Sequence, residues 1–202
     1  MADKNIDEKI IKENKKLIEK YPFIAPIDWD GNKIKDNYDF TLLDEMPPGW
    51  KKAFGIEFCE DLLEELKRCN FLDKYSVCQV KEKYGELRWY DNGHPRDSKI
   101  NDIIEKYSHI SSRTCIHCGA FPVDILDNGW ICPWCKDCYE KSEQETLAKG
   151  YITKIRPYEN FVVSTSPFDP IIRYRRYSKD GVEEYTIDCT DTVEKILKKG
   201  GK

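Results

Sequence analysis

Five cysteines between positions 115 and 138, in the runs "CIHCG" and "GWICPWCKDCY", constrain this chain more than any other feature. Thiolates at such short spacings hold tetrahedral metal, and a tetrahedral site takes four of them. Cys115 and Cys118 form the first pair, with Gly119 behind them to complete the tight turn that aims backbone amides at sulfur. The second pair has to come from Cys132, Cys135 and Cys138. The chain carries nine cysteines, without a signal-like N-terminus or an apolar run of membrane-spanning length. It therefore reads as cytoplasmic, with thiols that serve metal and packing rather than disulfides.

Between the two cysteine groups, Val123 to Leu126 and Trp130 to Cys132 read as strands around an Asp127-Asn128-Gly129 turn. "CKDCYEKSEQETLAKG" then reads as a helix stopped by Gly150. This order of knuckle, hairpin and helix resembles a treble-clef zinc finger, in which the second ligand pair opens the helix. The expected ligands are then Cys115, Cys118, Cys135 and Cys138, with Cys132 spare on the returning strand. Two residues three apart in a first helical turn share a face, and the amino end of a helix favours thiolate. The spacing also allows the simpler ribbon set of Cys115, Cys118, Cys132 and Cys135. His117 would point away from either site. Four sulfurs close the coordination sphere, so the expectation is one structural zinc holding a module too small to fold on apolar burial alone. An iron–sulfur cluster also uses four cysteines, but the knuckle spacing does not call for one.

The rest of the chain reads as α+β. Residues 4–20 have a helical apolar face ended by Pro22, and a turn-rich aromatic stretch follows, with a short hairpin expected around Asp30-Gly31. Residues 50–69 give the clearest helix, with Phe54, Phe58, Leu62 and Leu66 recurring every four and Cys59 and Cys69 as small core residues. Residues 75–91 read as a hairpin turning near Lys83-Tyr84-Gly85, with Cys78 buried. A helix is expected over 97–107, capped by Asp97 or Ser98. Beyond the metal module, "IIRYRRY" and "VEEYTIDC" would pair as strands around Lys179-Asp180-Gly181, with Cys189 ending the second and a short helix over 191–199. The division expected is an N-terminal α+β domain (1–110), a zinc module (111–150) and a β-hairpin with a closing helix (151–202).

Nothing in the sequence matches a phosphate loop, a dinucleotide fingerprint, a nucleophile elbow or a His-Glu-x-x-His pair. His94 reads as exposed in a loop, and His109 as lying just after a helix. Glu82, Glu86 and Asp91 could serve a two-metal site only if they converged. The sequence thus points away from an enzyme and towards surfaces. Tyr84, Arg88, Trp89 and Tyr90 crowd one turn, and Arg with aromatics is what protein interfaces concentrate. Arg173, Arg175 and Arg176, interleaved with Tyr174 and Tyr177, form the one basic cluster, and aromatics beside Arg can take single-stranded nucleic acid. Charge argues against that partner: residues 21–148 carry 24 Asp and Glu against 16 Lys and Arg, within a chain of net charge -4.

Residues 47–138, through "VKEKYGELRWYDNG", "CIHCG" and "GWICPWCKDC", resemble an uncharacterised family of small proteins of bacteriophages and prophages. Members carry a Lys-Glu-Lys-aromatic-Gly-x-Leu-Arg-aromatic-Tyr run, matched by Lys81 to Tyr90, ahead of a helix and two cysteine pairs. The position of Cys132 is often another residue there, so the resemblance favours Cys135 and Cys138. It implies a phage accessory protein acting in the host cytoplasm by binding a host or viral protein, with no activity to carry over. The segment after residue 150 departs from the family pattern.

Overall fold

The computed structural model describes residues 8–28, 30–34, 36–123, 125–127, 131–148, 171–178 and 181–188. Helix α1 (Glu8–Lys20) packs Leu17 and Ile18 against the core, leaves Ile10 exposed, and is followed by a 3-10 turn at Pro22–Ile24. The irregular aromatic stretch that comes next packs on its own domain: Tyr21, Phe23, Ile24, Leu42, Leu43 and Met46 are all buried. The expected short hairpin forms around Asp30-Gly31: Ile27 and Lys33 bridge across it, the Asp28 amide donates to the Asn32 carbonyl (2.8 Å) and the Ile34 amide to the Pro26 carbonyl (2.9 Å).

The long helix starts earlier than its periodicity suggests and has an extra feature. A first turn, α2 (Pro48–Trp50), runs through a π-turn at Lys51–Gly55 into α3 (Ile56–Arg68). Pro48 suits a helix start, because its missing amide would have no intrahelical partner there. Phe54, Phe58, Leu62 and Leu66 are all fully buried. Phe58 lies between Trp89 and Tyr107, each ring centroid 4.6 Å away.

Strands β1 (Val77–Lys83) and β2 (Glu86–Asp91) pair antiparallel across the two-residue turn Tyr84-Gly85, with φ of +56° and +78°. Positive φ at both central positions is the type I′ geometry whose twist matches a hairpin. A bulge between Val77 and Gln79 breaks the alternation, so Val77 and Val80 are both buried and Cys78 is exposed. Strict alternation had placed Cys78 inside. Both outward edges of this sheet end on side chains: the Val80 amide donates to Glu45 Oε2 (2.9 Å) and the Leu87 amide to Ser111 Oγ (2.7 Å).

Helix α4 (Ile100–Ser111) begins and ends later than expected. Neither Asp97 nor Ser98 caps it. Instead the Lys99 amide donates to Glu65 Oε1 of α3 at 2.6 Å, so a carboxylate from the neighbouring helix supplies the cap. Strands β3 (Ile125–Asp127) and β4 (Ile131–Pro133) pair antiparallel and lead into α5 (Lys136–Ala148). Strands β5 (Ile171–Ser178) and β6 (Gly181–Asp188) form a third antiparallel pair. The expected helix over 191–199 and Cys189 lie outside the described residues. The described part is α+β: helices, hairpins and one cysteine cluster. Among the described residues no helix is long and apolar enough to cross a membrane.

Candidate metal centre

The knuckle folds because Gly119 adopts φ +80°, which lets its amide reach back to the Cys115 carbonyl (3.0 Å) while the Cys115 amide donates to Ala120 (2.8 Å). The first turn of α5 closes the other side. The Tyr139 amide donates to the Cys135 carbonyl (3.0 Å), so Cys135 sits immediately before the helix and Cys138 in its first turn. These elements bring Cys115, Cys118, Cys135 and Cys138 together, with all four sulfurs within 4.8 Å of one another. Cys118 Sγ and Cys135 Sγ are 3.6 Å apart. A zinc ion bound at about 2.3 Å to each sulfur of a tetrahedron requires edges of about 3.8 Å. The cluster is thus geometrically compatible with a single structural zinc ion.

Backbone dipoles point the same way. The Ala120 amide donates to Cys118 Sγ and the Cys138 amide to Cys135 Sγ, each at 3.4 Å. Burial works against ionising Cys115, but the amides of Cys118, Cys135 and His117 together outweigh it and hold the thiol below the ordinary cysteine value. Cys138 behaves oppositely: burial, then the sulfur of Cys135, pushes it up. Four sulfurs this close need a cation among them to ionise together, and a soft divalent metal supplies that charge.

Cys132 stands outside this group. It pairs with Leu126 in the β3–β4 ladder, is 4 % exposed, and has its thiol pushed up to about 11 by burial. His117 is exposed, with its ring 4.2 Å from that of Trp134.

The knuckle is seated on the N-terminal residues through two hydrogen bonds. The Gly49 amide donates to the Ile116 carbonyl (2.9 Å), and the buried Trp50 indole donates to the Thr114 carbonyl (2.7 Å). A side chain at position 49 would come within 2.2 Å of the Cys115 carbonyl oxygen, so only glycine fits. Nothing local marks this role, since Gly49 follows two prolines and reads as part of a turn.

Comparison with family models, with curated proteins and with solved structures finds no match. Function has to be read from the chain's own chemistry.

The groups with catalytic potential are each engaged separately. His94 is not exposed in a loop: it folds back with Nδ1 3.2 Å from Asp91 Oδ2, and Asp91 also accepts the Tyr75 hydroxyl (2.9 Å). His109 lies inside α4 rather than after it. Burial pushes its imidazole below the usual histidine value, against the pull of Glu86 and Glu105. Glu82 accepts the Gly85 amide (2.7 Å) and Glu86 pairs with Arg88 (2.9 Å). Among the described residues, the four-cysteine group is where side chains converge at metal distance, and these carboxylates do not join it.

The expected surface residues divide. Trp89 is 6 % exposed, packs at a 58° tilt against Phe58 and donates to the Tyr75 hydroxyl (3.1 Å), so it belongs to the core. Tyr84 and Tyr90 are exposed, and Arg88 is half-buried beside Glu86. At positions 173–177 the register sets Arg175 against Glu184 and Arg176 against Glu183. The basic strand therefore lies alongside an acidic one.

Proposed function

We propose that this chain is a non-enzymatic, zinc-stabilised accessory protein of the phage kind, which acts in the host cytoplasm by binding a host or viral protein, a defence component included. Zinc bound by Cys115, Cys118, Cys135 and Cys138 holds the knuckle, β4 and the start of α5 in one arrangement. Small zinc modules draw on the order of 10 kcal/mol from such a site, more than a few buried side chains at about 2 kcal/mol each can supply. The closed four-sulfur sphere leaves no position for substrate.

One observation carries the binding reading. Tyr84 is 67 % exposed at the hairpin tip and holds a φ of +56°. A bulky aromatic in the left-handed region costs about 1 kcal/mol, and asparagine or glycine would serve the turn better. A large apolar side chain kept in water on a strained backbone supports display to a partner. Gly85 beside it packs on Ile131 of β4, so the metal module braces the tip.

The test is affinity capture from host lysate with the wild type and Tyr84→Asn. The expected result is a stoichiometric protein partner that Tyr84→Asn loses while keeping its zinc. Recovery of no such protein, with avid nucleic-acid binding instead, would overturn the proposal. The nucleic-acid alternative, using the zinc module and residues 173–177, is weakened by the acidic strand paired with the basic one.

A further inference from the structure

We infer that the partner contributes an acidic, extended peptide segment, which lies along the solvent face of the β1–β2 hairpin. This rests on the protein-binding reading and names its chemistry. The register places Gln79 opposite Tyr90, Lys81 opposite Arg88 and Lys83 opposite Glu86, all on the face away from the core. The other face, through Val80, Leu87 and Trp89, is buried. The outer face therefore carries three cations, Lys81, Lys83 and Arg88, against the single carboxylate of Glu86.

Aromatic rings lie beside the two lysines. The Lys81 ammonium lies 4.9 Å from the Tyr90 ring centroid, and Lys83 lies 5.3 Å from that of Tyr84. Each such contact at an exposed site contributes about 0.5–1 kcal/mol, so two flexible side chains are partly ordered before a partner arrives. A basic, aromatic face on a chain of net charge -4 selects for local negative charge.

The acidic wall beside it selects between acidic peptide and nucleic acid. Beside β2 runs a groove of about 730 Å³, lined by Glu86, Arg88 and Tyr90 on the strand and by Asp102 and Glu105 on α4. A broad polyanion lying across the hairpin would meet those carboxylates. A single extended chain alternating carboxylate and apolar side chains can stay on the Lys81–Lys83–Tyr84–Tyr90 face.

The experiment is fluorescence anisotropy of the zinc-loaded protein with three labelled probes: a dodecapeptide alternating Glu and Phe, its Lys and Phe counterpart, and single-stranded DNA of twelve nucleotides. The expected result is salt-sensitive binding of the acidic peptide. It should weaken at least tenfold in Lys81→Glu with Lys83→Glu and be unchanged in Lys12→Glu with Lys16→Glu, which makes the same charge change on α1. No binding of the acidic peptide, equal loss in both double variants, or tighter binding of DNA would each overturn the inference. If a lysate partner binds the Lys81→Glu, Lys83→Glu protein as well as the wild type, this inference fails and the protein-binding reading stands. If lysate yields no partner at all, the broader reading fails.

Discussion

At the scale of single residues, the cysteines were legible and their seat was not. Metal spacing is written locally, so Cys115, Cys118 and Gly119 declare themselves, and a helix start explains why Cys135 and Cys138 suit a site better than Cys132. We expect Cys138→Ser to abolish the one zinc per chain found by elemental analysis, and Cys132→Ser to leave it intact. Gly49 could not be read this way, because what it touches is a carbonyl far along the chain. Gly49→Ala drives a methyl group into backbone that cannot move without opening the knuckle. It should cost at least about 2 kcal/mol in urea unfolding and lower zinc occupancy at limiting metal. Tyr84→Asn should act in the opposite sense, raising stability by up to about 1 kcal/mol as it relieves the left-handed strain. Cys78 shows the limit of a two-residue period: one bulged position turned the side chain outward.

At the scale of elements, periodicity located α3, the hairpin and β5–β6, because each repeats its pattern over several residues. It misplaced α4 because the cap is borrowed. Sequence searches look for Ser, Thr, Asp or Asn just before a helix, and here the acceptor is Glu65, on another helix. Glu65 is also held by Arg68 through two 2.7 Å hydrogen bonds. Arg68 first, and then the Lys99 amide, bring its carboxyl down to about 2 from an ordinary value of 4.5, against the effect of burial. The folded state therefore holds fewer protons than the unfolded state between those values, so stability rises with pH across that window. The stabilisation is fully present above pH 4.5 and is lost as pH falls towards 2. Denaturation midpoints against pH should show this slope, and Glu65→Gln should flatten it.

At the scale of the whole molecule, the order of elements and the cysteine motif place a line near residue 110, while the hydrogen bonds from Gly49 and Trp50 run across it to the knuckle. Such contacts join residues far apart in sequence, and no local pattern encodes them. Metal removal should therefore be felt beyond the cysteines. We expect chelation to lower the thermal midpoint in a single transition and to speed exchange of the Trp50 indole proton, followed by NMR. A second transition that leaves this proton protected would show that the N-terminal core ignores the metal. The capped edges of the β1–β2 sheet have a consequence for assembly. Strand addition by another chain needs a row of open amides and carbonyls, and Glu45 and Ser111 already occupy one outward amide on each side. Copies of the protein are thereby discouraged from zipping into fibrils through this hairpin. Glu45→Ala or Ser111→Ala would reopen that route.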